Sequence, residues 1–124
     1  SLEANEFIER AHLVGGIKVI ARKVHANDMD MLRLTADAVK SKLPSGVIVL
    51  GAVHEGKVSL VSMVSDDLPV RGVHAGNLIR EVAKLTGGSG GGKPTMAQAG
   101  GKIPSALEGA LQTVPDLVKA QLKL

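Results

Sequence analysis

Hydrophobic positions along the chain follow two spacings, and each change of spacing marks an element. From Ile17 to Val24 they alternate. Ile17, Val19 and Ala21 share one face and Lys18, Ile20 and Arg22 the other, which predicts a strand. From Met29 the interval becomes three or four residues, through Leu32, Ala36, Val39 and Leu43, as on one face of a helix. Asn27 is the expected cap of that helix. Asp28 and Asp30 stand in its first turn, where the helix dipole favours negative charge, and Pro44 and Gly46 end it. Val47 to Val53 is almost wholly apolar, as in a central strand buried on both sides. Lys57 to Val64 reads as its hairpin partner across Glu55-Gly56.

The remaining segments are read from weaker signals. Residues 2–12 carry a partial helical stripe of Leu2, Phe7, Ile8 and Ala11, closed by Gly15-Gly16. Asp66, Asp67, Pro69 and Gly72 mark a loop. Residues 74–86 then form a helix with Leu78, Ile79, Val82, Ala83 and Leu85 as its apolar set. The stretch GGSGGGKP, residues 87–94, predicts no regular structure, and Met96 to Gly101 a short strand. Ser105 and Glu108 make an S-x-x-E capping box for another helix. Pro115 breaks or kinks it, and Thr113 and Asp116 are placed to cap a last helix. The expected fold is α/β (α+β): a mixed, mainly parallel sheet of about four strands with one hairpin, helices packed on it and a short N-terminal helix. Residues 1–14 are expected to end a helical linker, and residues 15–124 to form the globular domain. Opening on Ser1 inside a helical pattern suggests a piece of a larger protein.

Composition narrows the function classes. The 124 residues suffice for one self-supporting domain, and 44% apolar with 22% charged residues argues against disorder. The chain has no cysteine, so disulfides and thiolate metal sites are excluded. No apolar run reaches the roughly 20 residues of a membrane span. The net charge of +3 permits nucleic-acid binding without requiring it. Phe7 is the one aromatic residue, so base stacking on rings is not available in quantity. Any grip on nucleic acid has to use phosphates, backbone amides, shape and apolar contacts.

The glycines supply the candidate chemistry. Gly87, Gly88, Gly90, Gly91 and Gly92 crowd six positions, Lys93 follows, and Gly100 and Gly101 come after the next strand. Glycine lets a ligand approach the main chain, and successive amides can form an anion-binding nest. Gly87, Gly92 and Lys93 match G-x-x-x-x-G-K, yet Pro94 stands where a Ser or Thr would hold magnesium. A helix also precedes the loop, where a nucleotide-binding loop needs a strand. The dinucleotide pattern G-x-G-x-x-G fails because Lys93 occupies the third glycine position. His12, His25, His54 and His74 have no metal-ligand spacing, and Asp66-Asp67 reads as a solvated turn more readily than as a metal site. His74 begins a helix facing the loop, where phosphate contact and a plain surface role both stay open.

The segment GGSGGGKPTMAQAGGK, residues 87–102, resembles the signature of the C-terminal domain of alanyl-tRNA synthetases. It is also called the DHH-associated domain, because phosphoesterases of the DHH superfamily carry a relative. GVHAGNLIREVAKLTGG upstream and GIKVIARKV extend the likeness over roughly residues 15–122. The family often has Arg where this chain has Lys93 and an acidic residue where it has Thr95. The phosphoesterases tend to carry His at the Lys93 place, which favours the synthetase branch. The resemblance implies a non-catalytic, cytoplasmic module that binds the elbow of alanine-accepting tRNA and helps couple aminoacylation with editing. ATP, magnesium and zinc would belong to other domains of the parent, which are further partners; no membrane is implied, and a homodimer is left open. The implied RNA-binding set is Gly87, Gly88, Gly90, Gly91, Gly92, Lys93, Gly100, Gly101, Lys102, Arg71, His74, Asn77 and Arg80. The alternatives are the substrate-binding half of a DHH-type phosphoesterase, or a dimerisation domain.

Overall fold

The structure, a computed structural model, describes residues 2–124. Ser1, and the side chain of Leu2 that the N-terminal stripe included, lie outside the described residues. The elements in order are α1 (Leu2–Glu9), β1 (His12–Val14), β2 (Ile17–Lys23), α2 (Met29–Lys40), β3 (Val47–His54), β4 (Lys57–Val64), α3 (Ala75–Leu85), β5 (Ser89–Gly92), β6 (Met96–Gly101), α4 (Leu107–Gln112) and α5 (Val114–Gln121). Single 3-10 turns at Pro69–Arg71 and Pro104–Ala106 precede α3 and α4.

The strands form one sheet in the order β1-β2-β3-β4-β6-β5. Helices cover both faces. Ile20, Ile48, Leu50, Val61 and Met63 pack with Phe7 of α1 and with Leu32, Ala36 and Val39 of α2. Val19, Val49, Leu60 and Val64 pack on the other face with Leu78, Ile79 and Val82 of α3, Leu107 of α4 and Val118 of α5. This is why β3 reads as a continuous apolar run: alternate residues enter two different cores, and Val47 to Leu50 are all buried. Each such aliphatic side chain stabilises the fold by about 1.5–3 kcal/mol relative to exposure.

The sheet corrects two expectations. Among the described residues it has six strands rather than about four, and it is mainly antiparallel: β2 and β3 run parallel, while β1–β2, β3–β4, β4–β6 and β5–β6 are antiparallel. The error has a topological cause. Helix α3 does carry the chain back so that β5 runs in the direction of β4, as a crossover helix should. However, β5 then turns directly into β6, and β6 inserts between them. The two additional strands are β1, where the helix expected over 2–12 stops at Glu9, and β5, inside the stretch expected to be irregular.

Three caps also differ. Asp28, not Asn27, caps α2, its Oδ1 accepting from the Met31 amide at 2.8 Å. The Ser105/Glu108 box does not form, because the 3-10 turn at Pro104–Ala106 takes up Ser105 and Ala106 caps α4 without a side-chain bond. Thr113 separates α4 from α5, but its Oγ1 donates back to the Ala110 carbonyl instead of capping α5.

Candidate nucleic-acid interface

The glycine segment is an edge strand, and its glycines are required first by packing. A methyl group at Gly88 would run into the Gly100 carbonyl oxygen, one at Gly90 into Ala99, and one at Gly101 into Thr86 Oγ1. These backbones approach too closely for any side chain to stand between them. The ladder decides which amides face outward. Lys93 N donates to Met96 O at 2.9 Å, and the register continues through Gly91↔Gln98 and Ser89↔Gly100. Alternation in an antiparallel pair then turns the main-chain groups of Gly90 and Gly92 away from β6. The Gly87 and Gly88 amides are already used, donating to Lys84 O and Ala83 O. The expected nest of amides from Gly88 to Gly92 is therefore reduced to the groups that Gly90 and Gly92 turn away from β6, and of these the Gly92 carbonyl lies against the Gly76 backbone.

The hairpin tip is docked by its carbonyls. Lys93 O accepts from Gly76 N at 3.1 Å, Pro94 O from Ala75 N at 2.7 Å, and Thr95 O from Val64 N at 2.9 Å. His74 caps α3, its Nδ1 accepting from the Asn77 amide at 3.0 Å. The first amides of α3 are thus all satisfied within the protein, so this helix terminus is closed to an anion. The Lys93 side chain remains exposed at the tip. Sequence reasoning missed Gly76, whose backbone lies so close to the Gly92 carbonyl that a Cβ would collide with it. A glycine inside a helix costs about 1 kcal/mol relative to Ala, and that cost is the signal that could have found it.

The predicted residues fall into two groups at opposite ends of the hairpin. Arg71, His74, Asn77 and Lys93 gather at the start of α3. Gly87, Gly88, Gly100, Gly101 and Lys102 lie at its end, where Lys102 N and Ile103 N both donate to Thr86 O. Between them runs β6, about 17–20 Å at strand rise. Arg80 stands midway: its Nη1 donates to Asn77 Oδ1 at 3.1 Å, and its Nη2 is 3.6 Å from where a Cβ of Gly91 would be. Among the described residues the ion pairs are Arg22–Glu6, Arg33–Asp30, His54–Glu55 and Lys84–Glu81, so Arg71, Arg80, Lys93 and Lys102 have no carboxylate partner within ion-pair distance.

Elsewhere the candidate groups have structural work. Arg22 lies 4.5 Å from the Phe7 ring centroid. Asp67 accepts from Ser45 Oγ at 2.6 Å, and this bond, then one from Ser65, holds its carboxyl below the ordinary carboxylate value. No group of three His, Asp or Glu residues is arranged to hold a metal ion among the described residues, and no helix is long and apolar enough to cross a membrane.

One cleft adjoins this surface. It lies between α3 and α5, has a volume of about 380 Å³, and is lined by Asn77, Arg80 and Glu81 on one side and Leu117, Ala120 and Gln121 on the other. Gln121 closes its end, exchanging two 3.2 Å hydrogen bonds with the main chain of His74.

A family model described as the DHHA1 domain matches residues 16–120. The alanine–tRNA ligase of Bacillus pumilus (strain SAFR-032) is 49% identical over 120 residues, which are 97% of this chain and 14% of the ligase. That of Desulfitobacterium hafniense (strain Y51) is 50% identical over 121 residues, 98% of this chain and again 14% of the ligase. The chain therefore spans a small part of the length of these curated relatives. Among solved structures, the C-Ala domain from Aquifex aeolicus alanyl-tRNA synthetase aligns with a TM-score of 0.79 at 26% identity, covering 89% of this chain and 98% of that one. The DHH domain of a member of the s1p family of ribosomal proteins aligns at 0.57 with 15% identity, over 95% of this chain and 30% of that one, a likeness of fold alone.

Proposed function

Because the chain belongs to the DHHA1 domain family, we propose that it is the tRNA-binding C-Ala domain of a cytoplasmic alanine–tRNA ligase. The observation that carries this is the C-Ala alignment over nearly the whole chain, combined with cations outside the ion pairs at the hairpin tip, on α3 and in the turn before it. Arg71, Lys93 and Arg80 supply charge at the α3 start and midway along β5, and the outward amides of Gly90 and Gly92 supply short donors between them. Lys102, a strand length away, meets a phosphate farther along the same RNA. Such contacts fix position and carry little sequence information, so recognition is of shape. Catalysis and its ATP, magnesium and zinc lie with other domains of the ligase, which are this domain's further partners.

The test is the affinity of the 124-residue chain for alanine-accepting tRNA across a salt series. Three or four neutralised phosphates predict a log–log slope of roughly −2 to −4. Arg71→Ala, Arg80→Ala and Lys93→Ala together should flatten that slope by about 2–3. A slope that the triple variant leaves unchanged would place the interface elsewhere.

A further inference from the structure

The cleft between α3 and α5 carries unused hydrogen-bonding groups of a defined pattern. Asn77 and, one turn later, Arg80 and Glu81 of α3 face one opening. Asn77 Oδ1 is taken by Arg80 Nη1, which fixes the side-chain amide and leaves Nδ2 as a donor with no partner among the described residues. Glu81 Oε2 accepts from Lys84 Nζ at 3.1 Å. A carboxylate has about four acceptor sites, so Glu81 keeps acceptor capacity toward the cleft. Leu117 and Ala120 of α5 form an apolar wall opposite. The volume of about 380 Å³ is at the lower end of small-ligand sites, ample for one nucleobase.

A carboxylate acceptor beside an amide donor is complementary to one base edge. Guanine presents two adjacent N–H donors, at N1 and N2, next to the O6 acceptor. Adenine and cytosine place an acceptor where Glu81 needs a donor, and uracil offers one donor between two carbonyls. We propose that this cleft receives an unstacked guanine of the bound RNA, with Glu81 accepting from N1–H and N2–H, Asn77 Nδ2 donating to O6, and Arg80 joining the cleft to the phosphate path along β5. The inference rests on the RNA-binding reading and adds to it a base-specific contact that phosphate recognition lacks. Single-stranded RNA is read in this way when a base leaves its stack.

The experiment titrates isotope-labelled chain with guanosine monophosphate, using the adenosine, cytidine and uridine monophosphates as controls, and follows backbone amide resonances. Guanosine monophosphate should shift the amides of Leu117, Ala120 and Gln121, saturating in the millimolar range and at least fivefold more tightly than the other three. Glu81→Gln should remove that preference. Ala120→Phe, at an exposed site on α5, fills the cleft while leaving every α3 residue unchanged, and should abolish the shifts while keeping the native spectrum. Equal shifts from all four nucleotides, or shifts confined to Arg71, Arg80 and Lys93, would reduce the site to phosphate attraction and overturn the inference. So would unchanged guanosine monophosphate binding in a folded Ala120→Phe chain. A chain that binds tRNA with the expected salt slope yet shows none of these shifts defeats the guanine site alone. A chain without tRNA affinity defeats the RNA-binding reading itself.

Discussion

Two hairpins sit side by side in the sheet and are held together by opposite means. In β3–β4 the side chains do it: Leu50, Val61, Leu60 and Val49 are fully buried between the two helical layers. Its tip, Glu55-Gly56, takes positive φ at both residues and stands in solvent. In β5–β6 the absence of side chains does it: main chain lies against main chain at Gly88, Gly90 and Gly92, and α3 lies across the pair. Its tip is docked by the carbonyls of Lys93, Pro94 and Thr95, which leaves the Lys93 and Pro94 side chains exposed. The open ends differ likewise. Ser65 closes the first, its Oγ accepting from Gly46 N at 2.9 Å, and the Thr86 carbonyl closes the second by accepting from Lys102 N and Ile103 N. A hairpin built on side chains leaves its edges covered. One built on glycine leaves a bare main-chain edge beside unpaired cations, and a polyanion can use that edge.

The comparison breaks first at its most buried point. Leu60→Ala, with Leu60 wholly inaccessible, should lower the unfolding free energy by about 2–5 kcal/mol, measured by denaturant titration. The glycine hairpin should fail by the opposite change. Gly88→Ala adds one methyl group against the Gly100 carbonyl, which is backbone and cannot rotate away, and should cost about 1–3 kcal/mol. If Gly88→Ala were neutral, close approach would not be the reason for glycine there. The two hairpins should also differ in solution. Lys93→Ala should weaken tRNA binding by about 1 kcal/mol, whereas Lys57→Ala, beside the solvent tip of the first hairpin, should change it less than twofold.

How much of this was legible follows the same division. Strand β3 and its partner β4 were readable to within a residue, because their stability lies in side chains and the apolar run records it. The alternation of Ile17, Val19 and Ala21 against Ile20 marked a strand with two faces; that each face enters a separate core became visible only in the structure. Strand β5 was not readable: Ser89–Gly92 has no side-chain pattern, and its partner, register and edge position are set by α3 and β6. The strand order escaped for a related reason, since nothing in Met96–Gly101 says that it enters between β4 and β5. For the candidate site, the residue set is an expectation that rests on the family resemblance alone, and its division into two ends about 17–20 Å apart was not legible in the sequence. Glu81, Ala120 and Gln121 gave no signal at all, because the cleft they line exists only once α5 packs beside α3.

The smallest expected effect belongs to the closed end of the first hairpin. Asp67 is exposed, yet its carboxylate accepts from Ser45 Oγ, and its folded pKa lies below the ordinary 3.8. A carboxyl whose pKa is lowered on folding stabilises the fold fully above its unfolded value, and that contribution fades as the pH falls through the lowered folded value. Asp67→Asn removes the titrating charge while keeping the shape. Wild type should therefore exceed the variant in thermal midpoint at pH 6 by a small margin that salt reduces, and the margin should shrink as the pH falls through the lowered folded pKa. The β5–β6 hairpin has no carboxylate at either end, so the Gly88→Ala deficit should stay constant over the same pH range. A Gly88→Ala deficit that tracked the Asp67 margin would mean that the two hairpins open together, and the separation drawn between them would fail.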